Sequence, residues 1–383
     1  MPHQPVWLTA HSGDFDTFRQ IVSQTADPAD TPLAREVLRN VPVYDGAQVD
    51  AASSDPVSRM ALMQEWAQVF GRGAGILVIR QGLPDHAVID RATAIFAQII
   101  ADEKRVAKGG GDHFAKPGAN DRVWNALEKH CLADPANFAA YYSSHSVALA
   151  SLAWLGPAYQ MTAQVNRVNP GGAAQTPHRD YHLGFMTADQ MAAYPAHIHA
   201  ISPMLTLQGG IAHCDMPLDT GPTMLLPYSQ QFFEGYLAFA RPEFQAWFAA
   251  HHVQLPLHKG DIVFFNPAVM HGAGTNRSAD IFRMVNLLQV SSAFGRAMET
   301  VNRSAMVRAL YPALRAAKGI NLANVIAASA EGYAFPTNLD SNPPIGGIAP
   351  KSQAAYLQQA LDENQSEADF FAVLDALDRK NQS

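Results

Sequence analysis

The chain has 383 residues, of which 48% are hydrophobic and 16% charged, and its formal net charge is −7. This composition is typical of a compact globular protein, and the acidic balance argues against nucleic acid or an anionic membrane surface as a partner. The two cysteines, Cys131 and Cys214, exclude a disulfide framework and suit a reducing compartment. Because no signal-peptide features and no membrane-spanning apolar run are visible, we predict a cytoplasmic protein without a membrane segment.

The first 159 residues are predicted to be mostly helical. Five segments have apolar residues at helical spacing: 12–24, 56–70, 83–104, 121–131 and 143–154. One buried strand, near 75–79, is predicted from a β-branched run between glycines. Residues 26–55 give no clear prediction. The polar stretch 108–118 is interpreted equally well as a binding loop or as a solvated connector.

The pattern changes to short β-rich runs between residues 160 and 291. The predicted strands are 161–168, 178–186, 203–212, 223–227, 253–257, 261–265, 269–271 and 281–291. One helix at 230–250 is inserted among them, and helices return at 297–316, 351–362 and 366–379. We therefore predict an α+β fold with a mainly β core, in a single catalytic domain over 1–383. The core at 160–291 is predicted to be a double-stranded β-helix (a jelly roll, cupin-like) surrounded by N- and C-terminal helices.

A His-x-Asp pair, His178 and Asp180, stands at the start of one predicted strand. Side chains at i and i+2 of a strand project to the same face, and Pro177 favours extended geometry at the residue before it. His271, near the start of a later predicted strand, is the candidate for a third ligand. Two histidines and one carboxylate on one face of a metal, with open positions opposite, are typical of non-haem Fe(II) oxygenases. A hydrogen-bonded surface pair is the alternative interpretation of a bare His-x-Asp.

Arg283 lies inside an otherwise apolar predicted strand, where a guanidinium is costly unless it meets an anion. Arginine grips a carboxylate with two parallel hydrogen bonds, which suits the distal end of a dicarboxylic cosubstrate. The alternative is an arginine at a sheet edge that reaches water or a protein carboxylate. Arg277 is the competing candidate, but its Asn-Arg-Ser setting is typical of a solvated turn.

Other polar residues near these motifs are open to two interpretations. His213 and Asp215 repeat the His-x-Asp pattern at a strand end before a turn, where we predict a surface role. Tyr181 and His182 either face the substrate or pack at the barrel mouth. Four loop residues could contact substrate but are interpreted first as solvated: His113, Lys116, Arg122 and Trp124.

These features, in this order, resemble the phytanoyl-CoA dioxygenase family within the Fe(II)/2-oxoglutarate-dependent oxygenases. The likeness covers roughly residues 73–291. It is carried by a His-x-Asp after a Pro- and Gly-containing loop (170–180), a small-residue turn (219–229), a Gly-Asp-aliphatic strand that leads to His-Gly (260–272), and Arg283. The resemblance implies that Fe(II) is held by His178, Asp180 and His271, and that Arg283 binds the C5 carboxylate of 2-oxoglutarate.

The same resemblance implies that Gln164 and Asn166 line the cosubstrate pocket, with satisfied sheet-edge amides as an equally good alternative. The chain departs from the family at one position. Relatives often carry a hydroxyl two residues after the second metal-binding histidine, and Ala273 stands there. Either Thr275 substitutes for that hydroxyl, or the arginine acts alone.

The predicted function is an Fe(II)/2-oxoglutarate-dependent dioxygenase, an oxidoreductase that uses O₂. We expect it to hydroxylate a small organic substrate with release of succinate and CO₂. The carboxylate at Asp180 argues against a halogenase. Two alternatives remain open at this point: a cosubstrate-independent non-haem iron oxygenase or epoxidase, and a non-enzymatic metal-binding jelly roll that binds a small ligand. The sequence identifies neither the substrate nor the oligomeric state.

Overall fold

The computed structural model describes residues 5–106 and 118–381 and centres on two β-sheets. In chain order the strands are β1 (Glu36–Leu38), β2 (Val41–Asp45), β3 (Ile76–Arg80), β4 (Asn120–Val123), β5 (Gln160–Val168), β6 (Thr206–Ala212), β7 (Met224–Leu226), β8 (Ile262–Phe265), β9 (Met270–Gly272) and β10 (Arg283–Ser291). The large sheet has the order β1-β2-β3-β8-β6-β10-β5-β4, and β7 pairs with β9 in a small sheet. The β2–β3 pair is parallel and the other pairs are antiparallel.

Strands β3 and β8 of the large sheet are buried on both faces, which explains why they read as continuous apolar runs. Strand β3 illustrates the alternation of side chains between the faces. Its Leu77 and Ile79 join the main hydrophobic core beneath the helices, whereas Ile76 and Val78 point to a second core. That second core also contains Leu225 of the small sheet, so the two sheets pack face to face.

Helices from both ends of the chain cover the outer face of the large sheet. The helices are α1 (Phe15–Val22), α2 (Gly46–Ser53), α3 (Pro56–Gly71), α4 (His86–Val106), α5 (Ala126–Ala133), α6 (Pro135–Tyr142), α7 (His145–Leu155), α8 (Ala188–Ala192), α9 (Ala196–Ile201), α10 (Gly235–Ala238), α11 (Pro242–His251), α12 (Arg303–Ala316), α13 (Leu322–Ser329), α14 (Gln353–Asp362) and α15 (Glu367–Asn381). Residues of α2–α7 and α12–α15 share the main core, while α1 and α11 pack behind the small sheet. Among the described residues, none of the helices combines the length and the apolarity that crossing a bilayer would need.

The predicted fold class is confirmed: the core is a jelly roll enclosed by N- and C-terminal helices. The predicted content of residues 1–159 is wrong in one respect, because four strands lie there in addition to the helices. The strand predicted near 75–79 is β3, but β1, β2 and β4 also join the large sheet, so the β core extends beyond 160–291. Pro42 donates no backbone hydrogen bond and interrupts the apolar alternation of β2, which hides that strand in the sequence.

Three other predicted elements are corrected. The inserted helix at 230–250 is broken into a 3₁₀ turn, α10 and α11, because Pro242 begins a new helix and the residue before it, Arg241, is extended with ψ 144°. The strand predicted at 178–186 does not form. His178 makes a single β-bridge, after which the chain turns away through Gly184, whose φ is +90°. The helix predicted at 121–131 begins instead as β4 and becomes helical in α5.

Candidate metal centre and its cavity

His178, Asp180 and His271 converge on one point. Their candidate ligand atoms all lie within 4.8 Å of one another. Nε2 of His178 lies 3.6 Å from Oδ1 of Asp180, and Nε2 of His271 lies 3.6 Å from Oδ2. Two main-chain hydrogen bonds of 2.9 Å join His178 to His271, and the Asp180 N–H donates to Pro267 O at 3.0 Å. The main chain therefore sets the spacing of the three side chains that were singled out in the sequence.

The main chain also orients both imidazole rings. Nδ1 of His178 lies 2.8 Å from Thr176 O, and Nδ1 of His271 lies 2.8 Å from Val269 O. A carbonyl oxygen can only accept, so each Nδ1 carries the proton and each Nε2 keeps its lone pair. This is the tautomer that a metal-binding histidine requires.

The charges in the triad suit a divalent cation. Burial lowers the pKa of His178, and the nearby His271 lowers it further, so the ring stays neutral. Burial opposes ionisation of Asp180, but the facing rings of His271 and His178 and the hydrogen bond from Gln208 hold the pKa of the carboxyl well below its usual value. A neutral imidazole and an ionised carboxylate are the forms that bind metal.

The triad opens into a cavity of about 480 Å³. This volume lies in the usual range for small-molecule sites. The inner face of the large sheet forms part of the lining, through β5, β6, β8 and β10. Further lining residues come from the chain around the His-x-Asp pair, between residues 174 and 191.

Arg283, the first residue of β10, lines this cavity and is only 6% exposed. Its Nη1 donates to Thr220 O at 3.0 Å and to Gly274 O at 3.4 Å. Within residues 5–106 and 118–381 it forms no ion pair with a carboxylate. Burial lowers its pKa to about 10, which still leaves it charged at neutral pH. A buried cation held by carbonyl oxygens alone is suited to bind an anionic ligand.

Gln164 and Asn166 both face the cavity from β5. Gln164 Oε1 accepts a hydrogen bond of 2.9 Å from Arg122, and Asn166 Oδ1 accepts one of 3.2 Å from Asn120. The two amides thus line the cavity and also tie β5 to the edge strand β4, while their role towards a cosubstrate stays a prediction. The interpretation of Arg122 as a solvated loop residue is wrong: it stands on β4, and its guanidinium lies 5.0 Å from the ring centroid of Trp124.

The remaining sequence candidates have varied positions. Thr275 uses its hydroxyl to accept the Ala174 N–H at 3.1 Å. Tyr181 lines the cavity and also packs in a core cluster, and His182 is hydrogen-bonded to Thr206 at 2.8 Å. His113 and Lys116 lie outside the described residues.

The surface role predicted for His213 is wrong. This side chain is 3% exposed, and its ring nitrogens lie 2.8 Å from the hydroxyls of Thr93 and Tyr141. The reason is that β6 ends beneath α4 and α6, which cover the ring. Asp215, two residues later, is exposed.

Two buried residues beside the triad were not singled out in the sequence. Gln208 on β6 is 5% exposed and donates its amide N–H to Oδ2 of Asp180. Arg179, between the two ligands of the His-x-Asp pair, is 6% exposed and donates to the carbonyls of Ser229 and Phe232. A polar residue inside an apolar strand is the signal that could have identified Gln208. Nothing local distinguishes Arg179 from a surface arginine.

Comparison with known proteins identifies the family. The model of the family "Phytanoyl-CoA dioxygenase (PhyH)" matches residues 58–285. No curated protein sequence matches the chain.

Similar solved structures include the non-heme alpha ketoglutarate dependent epimerase SnoN from nogalamycin biosynthesis, with 19% identity over 61% of this chain and 82% of that chain and a TM-score of 0.42. The carbocyclase SnoK from the same biosynthesis has 19% identity over 61% of this chain and 86% of that chain, with a TM-score of 0.44. HygX from Streptomyces hygroscopicus, with nickel and 2-oxoglutarate bound, has 12% identity over 60% of this chain and 87% of that chain, with a TM-score of 0.39. Because the family model matches more than half of its length, the chain belongs to the phytanoyl-CoA dioxygenase family of iron- and 2-oxoglutarate-dependent oxygenases, as its motifs predict.

Proposed function

We propose that this protein is a dioxygenase that binds Fe(II) through His178, Asp180 and His271 and hydroxylates a small organic substrate, with release of succinate and CO₂. The observation that carries the proposal is the convergence of three ligand atoms within 4.8 Å. Both Nδ1 atoms are already engaged by main-chain carbonyls, so the two Nε2 atoms remain as metal ligands. Two imidazoles and one carboxylate leave open positions on the opposite face of the metal.

Bound iron and 2-oxoglutarate supply the oxidising chemistry, and the protein supplies binding, orientation and exclusion of water. Arg283 is proposed to bind the distal carboxylate of 2-oxoglutarate, because its buried charge has main-chain carbonyls as its hydrogen-bond partners. Gln164 and Asn166 are proposed to orient the cosubstrate from the adjacent strand, since both face the cavity. Thr275 is not part of this proposal, because its hydroxyl already holds the main chain at Ala174.

The cavity lining supports a small, largely apolar substrate. Aromatic and sulfur-containing side chains contribute much of it: Trp124, Phe185, Met186, Met191, Phe239 and Met298. Such side chains stack on rings and adapt to irregular apolar shapes. The packing of α3–α7 and α12–α15 on one core supports the prediction that the chain acts as a single catalytic domain. The two free cysteines support the predicted reducing, cytoplasmic setting.

An anaerobic titration tests the proposal. Fe(II) followed by 2-oxoglutarate is expected to produce a weak visible charge-transfer band in the wild type, and His178→Ala should abolish it. His258→Ala is the matched control, because His258 is exposed and lies 3.5 Å from the carboxylate of Asp215 without forming a buried triad. A wild-type protein that gives no band, and that converts no 2-oxoglutarate to succinate with any substrate tried, would contradict the proposal.

The alternatives give different results in the same assays. A cosubstrate-independent oxygenase would consume O₂ with its substrate but form no succinate. A metal-stabilised binding protein would take up Fe(II) and its ligand but consume no O₂. Hydroxylation itself is recognised by one added oxygen atom in the product, whereas desaturation removes two hydrogen atoms and adds no oxygen.

A further inference from the structure

The main chain of Asp180 is held on both sides. Its N–H donates to Pro267 O at 3.0 Å, and its carbonyl accepts the Tyr236 hydroxyl at 3.0 Å. The Tyr236 side chain is 3% exposed, so this hydrogen bond is shielded from water. With the main chain fixed, the remaining freedom of this residue lies in the rotation of its carboxylate.

Gln208 restricts that rotation. Its amide N–H donates to Oδ2 of Asp180 from the neighbouring inner face of β6. The direction of the bond is chemically determined, because an ionised carboxylate can only accept and the amide nitrogen can only donate. A hydrogen bond to a charged acceptor in a buried site is among the stronger ones in proteins.

The hydrogen bond from Gln208 to Asp180 matters because the metal has a limited number of positions for ligands. A six-coordinate iron held by three protein ligands would keep three positions, of which a chelating 2-oxo acid would take two and leave one for O₂. A carboxylate that bound the metal through both of its oxygens would occupy a fourth position. The site therefore needs an Asp180 that binds through one oxygen, with the other oxygen engaged elsewhere.

We propose that Gln208 is a positioning residue that holds Asp180 as a one-oxygen ligand and so keeps the positions for 2-oxoglutarate and O₂ open. This inference rests on the proposed function of the site. It concerns the side chain of Gln208 alone, which acts on the metal through Asp180.

The other end of the same amide supports the inference. Oε1 of Gln208 is buried and has no hydrogen-bond partner within residues 5–106 and 118–381. A buried amide oxygen without a donor is costly, so the orientation of Gln208 is retained for the sake of its bond to Asp180. The 2-oxoglutarate dianion has no donor to offer, which leaves an O–H or N–H of water or substrate as the group that would satisfy Oε1.

The test is Gln208→Met, which keeps the length of the side chain and removes the donor. Fe(II) affinity is expected to fall less than the affinity for 2-oxoglutarate, because both histidines and Asp180 remain as ligands. The apparent Kd for 2-oxoglutarate, from the anaerobic charge-transfer titration, is expected to rise about tenfold or more, as for the loss of a hydrogen bond to a charged group. Gln208→Asn, which keeps an amide but shortens its reach, is expected to show the same split between the two affinities.

Gln289→Met is the matched control. Gln289 on β10 stands directly opposite Gln208 in the sheet and lines the same cavity. This variant should lower the affinity for 2-oxoglutarate less than Gln208→Met does, because within the described residues the amide that bonds to Asp180 belongs to Gln208. An equal loss in both methionine variants would assign the effect to cavity polarity and overturn the inference, as would wild-type affinity for 2-oxoglutarate in folded Gln208→Met and Gln208→Asn. A parallel loss of Fe(II) and 2-oxoglutarate binding would show a purely structural role. If the wild type itself binds neither, the proposed function fails.

Discussion

Replacing Arg283 with methionine is expected to weaken 2-oxoglutarate binding by roughly ten- to a hundredfold. The guanidinium is 6% exposed, and its hydrogen bonds go to the carbonyls of Thr220 and Gly274. A hydrogen bond to a charged group contributes about 1.5–3 kcal/mol, and each 1.4 kcal/mol is about a factor of ten in Kd. Methionine preserves most of the length and apolar volume of the side chain, so the change removes the charge with little loss of packing.

The assay compares 2-oxoglutarate with 2-oxopentanoate, which has the same chelating end but lacks the distal carboxylate. Wild-type protein, loaded anaerobically with Fe(II), should prefer 2-oxoglutarate by about the factor that the variant loses. Arg283→Met should bind the two compounds with similar affinity and retain its affinity for Fe(II). Arg277→Met is the control, because this arginine lies in the turn before β10 and is exposed. A variant that still discriminates between the two compounds would refute the reasoning and place the distal carboxylate against another cation, with Arg122 next to be tested.

Two further predictions concern folding. Gly235→Ala should lower the free energy of unfolding by roughly 1–3 kcal/mol and weaken Fe(II) binding, because the added Cβ would overlap the buried guanidinium of Arg179. The comparison in thermal unfolding is Gly71→Ala, whose Cβ would make ordinary contacts. Burial lowers the pKa of His130 to about 4 and of His213 to about 3, below their ordinary 6.5. Their contribution to stability is therefore complete above pH 6.5 and falls as the pH drops towards those values, by about 1.4 kcal/mol per pH unit for each ring. His213→Gln should remove its share of this slope in urea unfolding at a series of pH values, and an unchanged slope would contradict the assignment.

The strands that could be predicted are those whose signal is local. Strands β5, β6, β8 and β10 are apolar runs between turn residues, and each prediction is correct to within a few residues. Strand β2 depends in part on a partner that is distant in the chain, since Val43 pairs with Glu36 of the adjacent β1 on one side and with Val78 of β3 on the other. Such tertiary pairing leaves no local pattern, particularly when a proline interrupts the run.

The triad could be predicted because its residue types and their order are distinctive, although the strand expected around it is reduced to a bridge. The reason is that the N–H of Asp180 bonds to the carbonyl of Pro267, in a turn, instead of to a partner strand. The buried residues around the triad could not be predicted in this way. Arg179 and Gln208 receive their roles from segments fifty and twenty-eight positions away, and a single sequence records neither separation as a contact.

The Gly-Asp turn before β8 is one of the motifs that carry the family resemblance, and the structure shows what its aspartate binds. The carboxylate of Asp261 is 1% exposed and pairs with Arg80 at 2.7 Å. It also accepts the main-chain N–H groups of Gln81 and His258, each at 2.8 Å. Asp261 thus joins the end of β3 to the start of β8, which sets the register of the strand that leads to His271.

The bridge between His178 and His271 has a practical consequence for experiments on this protein. The two hydrogen bonds that join these residues come from the main chain, so they persist when either imidazole is removed. Substitution of a ligand should therefore delete a donor atom without releasing the segments that carry it. Metal binding therefore has little cost in ordering the chain. Ligand variants should unfold at nearly the same temperature as the metal-free wild type.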